Sequence, residues 1–136
     1  MKSSQDIIDK VIRLYEAGKI ISILNSSDEL LTKFPNNATI HNILGAGFSQ
    51  FNDFEKGIYH LQKAIQIEPQ NYLILNNLGN VLLDVNEYQK TIEVINKALN
   101  IRPDFAEGYN TLGLALYKGG DIKGSIFNFK KAIELK

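Results

Sequence analysis

The chain has 136 residues, the size of one ordinary domain with its own core, and its 44% hydrophobic and 22% charged content is that of a water-soluble globular protein. Fifteen basic residues balance fifteen acidic ones, so no net field draws nucleic acid or an anionic membrane, and the absence of cysteine excludes disulfides and thiolate chemistry. The N-terminal stretch is too charged for a signal peptide and no apolar run approaches the roughly 18 residues of a membrane span, so a cytoplasmic setting is expected.

Taken in chain order, Ser3 to Asp6 reads as a capping box opening a first helix, with Gly18 beyond its end. Ser26-Ser27-Asp28 has the form of a second helix start, with Glu29 as the capping-box partner of Ser26, and Pro35 closes the stretch. "NATIHNILGAGFSQF" then places Ile40, Ile43, Leu44 and Phe48 at helical spacing. After a polar turn at Asn52-Asp53, "FEKGIYHLQKAIQI" does the same with Phe54, Ile58, Leu61, Ile65 and Ile67, and Pro69 stops it. The pattern recurs twice, with turns at Asn86-Glu87 and Gly119-Gly120-Asp121 and a stop at Pro103. Asn71 and Asp104 are expected N-caps of the helices that follow them.

The recurrence has a fixed period. Pro35, Pro69 and Pro103 are 34 residues apart, and the same step links Leu44, Leu78 and Leu112; Gly45, Gly79 and Gly113; Ala64, Ala98 and Ala132; and Asn42, Asn76 and Asn110. Each glycine costs its helix about 1 kcal/mol relative to alanine, so close approach of two helices is expected to offset it. "YLILNNLGNVLLDVNEYQKTIEVINKALNIRPDF", "HNILGAGF…KAIQIEP" and "YNTLGLAL…KAIELK" resemble the tetratricopeptide repeat, with Leu-Gly in the first helix, small residues in the second and a closing proline. In "NNLGN" the third copy is also similar to the repeats of O-linked N-acetylglucosamine transferases. The resemblance implies an all-α fold: a right-handed superhelical α-solenoid of about four helix-turn-helix units, or eight helices. One domain spanning 1–136 is expected, with repeats at 38–71, 72–105 and 106–136, the last without a capping helix. Residues 4–37 read as a degenerate capping repeat, with Lys10-Val11 in place of Leu-Gly and Ser27 in place of Leu61, Ile95 and Phe129.

The resemblance also implies that the first helix of each pair lines a concave binding face. At about 100° per residue, Leu73, Asn76, Asn77, Asn80, Leu83 and Asp84 share one arc, away from Leu75, Leu78, Gly79 and Leu82. The matching arcs hold Thr39, Asn42 and Gln50 in the repeat before, and Glu107, Asn110, Thr111, Tyr117 and Lys118 in the repeat after. Carboxamides carry a donor and an acceptor on one plane, which matches a peptide main chain; asparagine is equally the ordinary surface residue of an Asn-rich chain. The lysine and arginine slots of the chaperone-tail clamps hold Asn42, Ala46, Glu107 and Thr111 here, which argues against a carboxylate clamp.

Catalytic chemistry is not expected. His41 and His60 are the only histidines and lack further ligands for zinc; "GAG" at 45–47 lies within a helical pattern; and no serine sits in a nucleophile elbow. His41 shares an aromatic packing slot with Tyr109, and Lys130-Lys131 reads as a solvated face. No cofactor or metal is expected. The expected partner is a protein or extended peptide, with no nucleic acid and no membrane. Two alternatives stand beside this non-catalytic scaffold: the N-terminal substrate-selecting arm of a larger transferase, and a self-assembly module. The second rests on the apolar face of Ile126, Phe129, Ile133 and Leu135 at the last helix, which suits a homo-oligomer.

Overall fold

The structure is a computed structural model that describes residues 2–136, and among these it contains helices and no strand. Two compact units divide the chain, Met1–Pro69 and Gln70–Lys136. The first holds α1 (Ser4–Glu16), α2 (Ile20–Asn25), α3 (Ser27–Lys33), α4 (Ala38–Gln50) and α5 (Phe54–Ile67). The second holds α6 (Tyr72–Asp84), α7 (Tyr88–Ile101), α8 (Ala106–Lys118) and α9 (Ile122–Glu134).

Caps fix where the helices begin. Ser3 and Asp6 form the reciprocal box expected at α1, and Asn37, Asp53, Asn71 and Asp121 accept hydrogen bonds from backbone amides of α4, α5, α6 and α9. Two expected caps do not form. The N-cap of α8 falls one residue later than expected, at Phe105, and Asp104 Oδ1 instead accepts from Arg102 Nε at 2.7 Å. Ser26 precedes α3 without a side-chain cap, so the Ser26–Glu29 box is absent.

That break also corrects the helix count, since the second helix of the first repeat is two short ones and the expected eight become nine among the described residues. The cause lies in a size-matched pair. In the other hairpins a glycine faces a large side chain sixteen residues on. A Cβ at Gly45 would lie 2.6 Å from Leu61 Cγ, one at Gly79 2.5 Å from Ile95 Cδ1, and one at Gly113 2.7 Å from Phe129. The first repeat inverts the sizes, with Val11 buried and Ser27 at the partner position. Without a large residue there, nothing anchors one continuous helix across α1, and serine favours a helix start.

The turns inside the hairpins repeat as well. Gly18, Asn52, Asn86 and Gly120, spaced by 34, all have positive φ (74°, 64°, 65° and 96°). Reversing the chain there needs one left-handed residue, which glycine and asparagine adopt at least cost.

In the first unit, α4 and α5 form a close hairpin, and α1, α2 and α3 cover α4. The core gathers Val11, Ile23, Leu30, Ile40, Ile43 and Leu44. In the second unit, the α6–α7 and α8–α9 hairpins stack, with α7 and α6 both against α8, and Ile95, Leu99, Phe105 and Leu112 fill the seam. At about 1.5–3 kcal/mol for each fully buried aliphatic side chain, this interior burial is what holds otherwise marginal 13-residue helices.

Candidate functional site

The second unit carries a cleft of about 520 Å³ where three segments converge. The first turns of α6 supply Tyr72, Leu73, Asn76 and Asn77; the α7–α8 connection supplies Arg102, Asp104 and Phe105; Ala106, Glu107, Leu135 and Lys136 complete it. Asn71 caps α6 through Leu73 N and Ile74 N, 3.1 and 3.3 Å away, which fixes the turn bearing Leu73. Leu73 is left 54% exposed at the mouth.

One wall is aromatic and its charges are already paired. The Tyr72 and Phe105 rings meet edge-on with centroids 4.9 Å apart. Arg102 lies over Tyr72, 5.3 Å from the ring centre, and donates from Nη1 to the Tyr72 hydroxyl at 2.8 Å. The hydrogen bond from Arg102 to Asp104, and the guanidinium charge, hold that carboxyl below its usual range; the same contact raises Arg102 further. The wall therefore presents a neutralised ion pair to a ligand.

Asn76 is 9% exposed and belongs to the seam between α6 and α8, which corrects its placement on a face turned away from packing. Its Oδ1 lies 3.2 Å from the Thr111 hydroxyl, Asn80 Oδ1 lies 3.0 Å from it, and the Glu107 carbonyl is also within 3.0 Å. A hydroxyl has one proton, so it serves one of these acceptors at a time. With either amide turned over, its Nδ2 would donate to the hydroxyl lone pairs instead. Thr111 thus lies within hydrogen-bond reach of both amides, and Asn76 is also among the residues that line the cleft.

The remaining expected positions divide as follows. Asn77 is half-buried and lines the cleft; Asn80, Asp84, Asn110, Tyr117 and Lys118 are exposed on α6 and α8 but outside it; Thr111 is buried beneath it. Leu83, expected on the same arc, is core. Thr39, Asn42 and Gln50 lie on α4 of the first unit, the first two half-buried and Gln50 exposed. Sequence reasoning missed Tyr72, Arg102, Asp104 and Phe105. A signal existed in Arg102-Pro103-Asp104, a cation and a carboxylate held two residues apart by a rigid proline.

His41 and Tyr109, expected to share a packing slot, also share a polar task. His41 Nε2 lies 2.8 Å from the Pro35 carbonyl, and the Tyr109 hydroxyl donates to the Pro103 carbonyl at 3.0 Å. Among the described residues no cluster of three metal-ligating side chains occurs, and no helix is long and apolar enough to cross a membrane.

Helical hairpins on a 34-residue period, sealed by glycine against a large side chain and joined by left-handed turns, define a helical-repeat protein. The chain belongs to the tetratricopeptide repeat family: TPR repeat and tetratricopeptide repeat families match residues 79–120, 60–93 and 106–136, together more than half of it. No curated protein matches it in sequence. Solved structures give the same fold. A crystal structure of MamA protein is 24% identical over 96% of this chain and 72% of that one, with TM-score 0.86. MamA RS-1 ArsTM double mutant is 20% identical over 100% and 77%, with TM-score 0.84. MamA 41-end from Desulfovibrio magneticus RS-1 is 20% identical over 94% and 72%, with TM-score 0.82.

Proposed function

We propose that this chain is a non-catalytic scaffold that binds an extended segment of a partner protein, and that the second-unit cleft is the centre of the site. The observation that carries the reading is Asn76, a nine-tenths buried carboxamide within hydrogen-bond reach of Thr111 that also lines the cleft. A carboxamide carries both a donor and an acceptor, and a peptide main chain offers the complement at regular intervals. Leu73 and the Tyr72–Phe105 wall give an apolar side chain of the ligand a place to lie. Because Arg102 and Asp104 neutralise each other, the aromatic wall contributes shape and apolar contact, leaving Glu107 and Lys136 as the other charged residues of the lining.

Display of random extended peptides against the full chain supplies the probe. Affinity for the best binder is then measured on wild type, Leu73→Ala, Thr111→Val and Ile126→Ala. The two cleft variants are expected to weaken binding about tenfold or more, roughly 1.4 kcal/mol, and Ile126→Ala to leave it unchanged. A binder indifferent to both cleft changes removes the assignment.

A second reading has an observation of its own. The outer face of α9 exposes Ile122, Ile126, Phe127 and Ile133, the last two at 68% and 73%. Such a face favours association with another copy of the chain. Sedimentation across a concentration series, with Phe127→Ser/Ile133→Ser as control, tests it; a wild-type monomer throughout refutes it.

A further inference from the structure

The first unit holds the only two histidines of the chain, and they touch. His41 on α4 and His60 on α5 are 4% and 6% exposed, with their Nδ1 atoms 3.0 Å apart. The ring centroids are 5.2 Å apart, longer than the nitrogen contact by about two ring radii, so the nitrogens face each other along the line of centres. That is the geometry of an in-line hydrogen bond, whereas two ligands of one metal ion would converge at an angle.

The tautomers follow from the partners. The Pro35 carbonyl can only accept, so His41 Nε2 carries its proton and, in the neutral ring, Nδ1 is bare. His60 Nδ1 therefore donates to it, and His60 Nε2 is the atom left to take up a proton. The chain thus ties three points together: the connection before α4 through Pro35, α4 through His41, and α5 through His60.

Nothing around His60 welcomes a charge. Its ring packs on Phe48 of α4 and edge-on against Tyr59 of α5, and the groups acting on it are the His41 ring and the Lys56 ammonium, the latter 3.9 Å from Asp53 Oδ2. Lys56 lies over the same Phe48 ring, 5.2 Å from its centre. A proton on His60 Nε2 therefore creates a buried cation with the Lys56 ammonium nearby, and the ring can regain its hydration only by leaving the site, breaking the Nδ1 bond as it goes.

We propose that the His41–His60 pair is an acid-released latch that closes the α4–α5 hairpin at neutral pH and opens the first unit, and not the second, as pH falls. Burial, then His41, then Lys56 depress the His60 pKa to about 4, which keeps the latch shut at neutral pH. Gln70–Lys136 contains no histidine, so nothing comparable titrates there before the carboxylates do. Because Asn42 directly follows His41 on α4, release also loosens the helix that carries the first-unit part of the expected binding stripe.

Hydrogen exchange on the full chain from pH 6.5 to 4.5 tests this, with protection normalised to unfolded-chain rates at each pH. In wild type, opening of 38–67 relative to 72–134 should rise about tenfold per pH unit. In His60→Gln, which keeps an N–H donor and cannot titrate in this range, the relative rise should vanish. Parallel loss of protection in both units, or in both proteins, overturns the latch. Should His60→Gln fail to fold, the histidine ring signals of wild type decide by NMR. A His60 ring titrating near 6.5 overturns the proposal, and one still neutral at pH 5 supports it.

Discussion

A methyl group at residue 79 probes the packing that closes the α6–α7 hairpin. Built on the α6 backbone, it lies 2.5 Å from Ile95 Cδ1 and 2.9 Å from Ile95 Cγ1. A relaxed carbon contact is about 3.5–4.0 Å, so Ile95 must yield by about 1 Å. It has little freedom to do so: its exposure is 0%, and its β-branched side chain holds one χ1 well on a helix. Overpacking of this kind costs about 1–3 kcal/mol, while replacing a mid-helix glycine by alanine returns about 1 kcal/mol. Gly79→Ala is therefore expected to destabilise by about 1 kcal/mol on these two terms. Ile95→Val removes the offending Cδ1 and costs about 0.5–1.5 kcal/mol alone. Combined, the two changes should destabilise by about 1 kcal/mol less than their sum, because the new methyl occupies the space Cδ1 left. Urea unfolding of the four proteins at pH 7, with unchanged m-values as the condition for comparison, gives the cycle. If Gly79→Ala raises the midpoint, or the two changes add within about 0.5 kcal/mol, close approach at Gly79 is not what conserves its small size through the repeats of this chain.

Other outcomes follow from single contacts. Asn86→Ala and Asn86→Gly both remove the acceptor of the exposed Tyr88 hydroxyl, but alanine tolerates φ 65° less well than asparagine and glycine better, so the alanine variant should be about 1 kcal/mol less stable than the glycine one; urea midpoints separate them. Asp121→Ala removes the cap on Gly124 N, 2.9 Å from Oδ1, and should cost about 1 kcal/mol, read as faster amide exchange in the first turn of α9. His60 has a folded pKa of about 4 against about 6.5 in the unfolded chain, so its contribution is complete above pH 6.5 and is lost as pH falls towards 4. The slope is about 1.4 kcal/mol per pH unit at most, and urea titrations of wild type and His60→Gln between pH 7 and 4.5 should diverge in that direction.

The repeat was legible because its markers are local and recur. A proline stops a helix wherever it falls, and a glycine recurring against a large residue sixteen positions on reports a close crossing without any knowledge of the third dimension. The same comparison marked Lys10-Val11 and Ser27 as departures from their columns and Ser26-Ser27-Asp28 as a helix start, which α3 follows at Ser27, whereas the pairing of Val11 with Ser27 and the missing Ser26 cap emerged only in the structure. A chain pattern shows that an anchor is missing; whether a helix then bends, frays or breaks depends on what α1 and α4 offer as support.

The site was less legible for a geometric reason. A helical wheel assigns each residue an angle about its own axis and separates one packed face from one free face. In a repeat array the first helix of a pair packs on two neighbours, its own partner and the first helix of the next pair, so part of the arc opposite the hairpin is seam. Asn76 and Asn110 occupy the same register and have nearly the same angle, but α8 covers Asn76 and leaves Asn110 exposed. Polar residues in such a seam must satisfy one another, and Thr111 does this for Asn76 and Asn80. A register of asparagines is therefore not by itself a ladder of free amides. Contact with the cleft separates them further: within the second unit Asn76 and Asn77 line it, while Asn80 and Asn110 lie outside it.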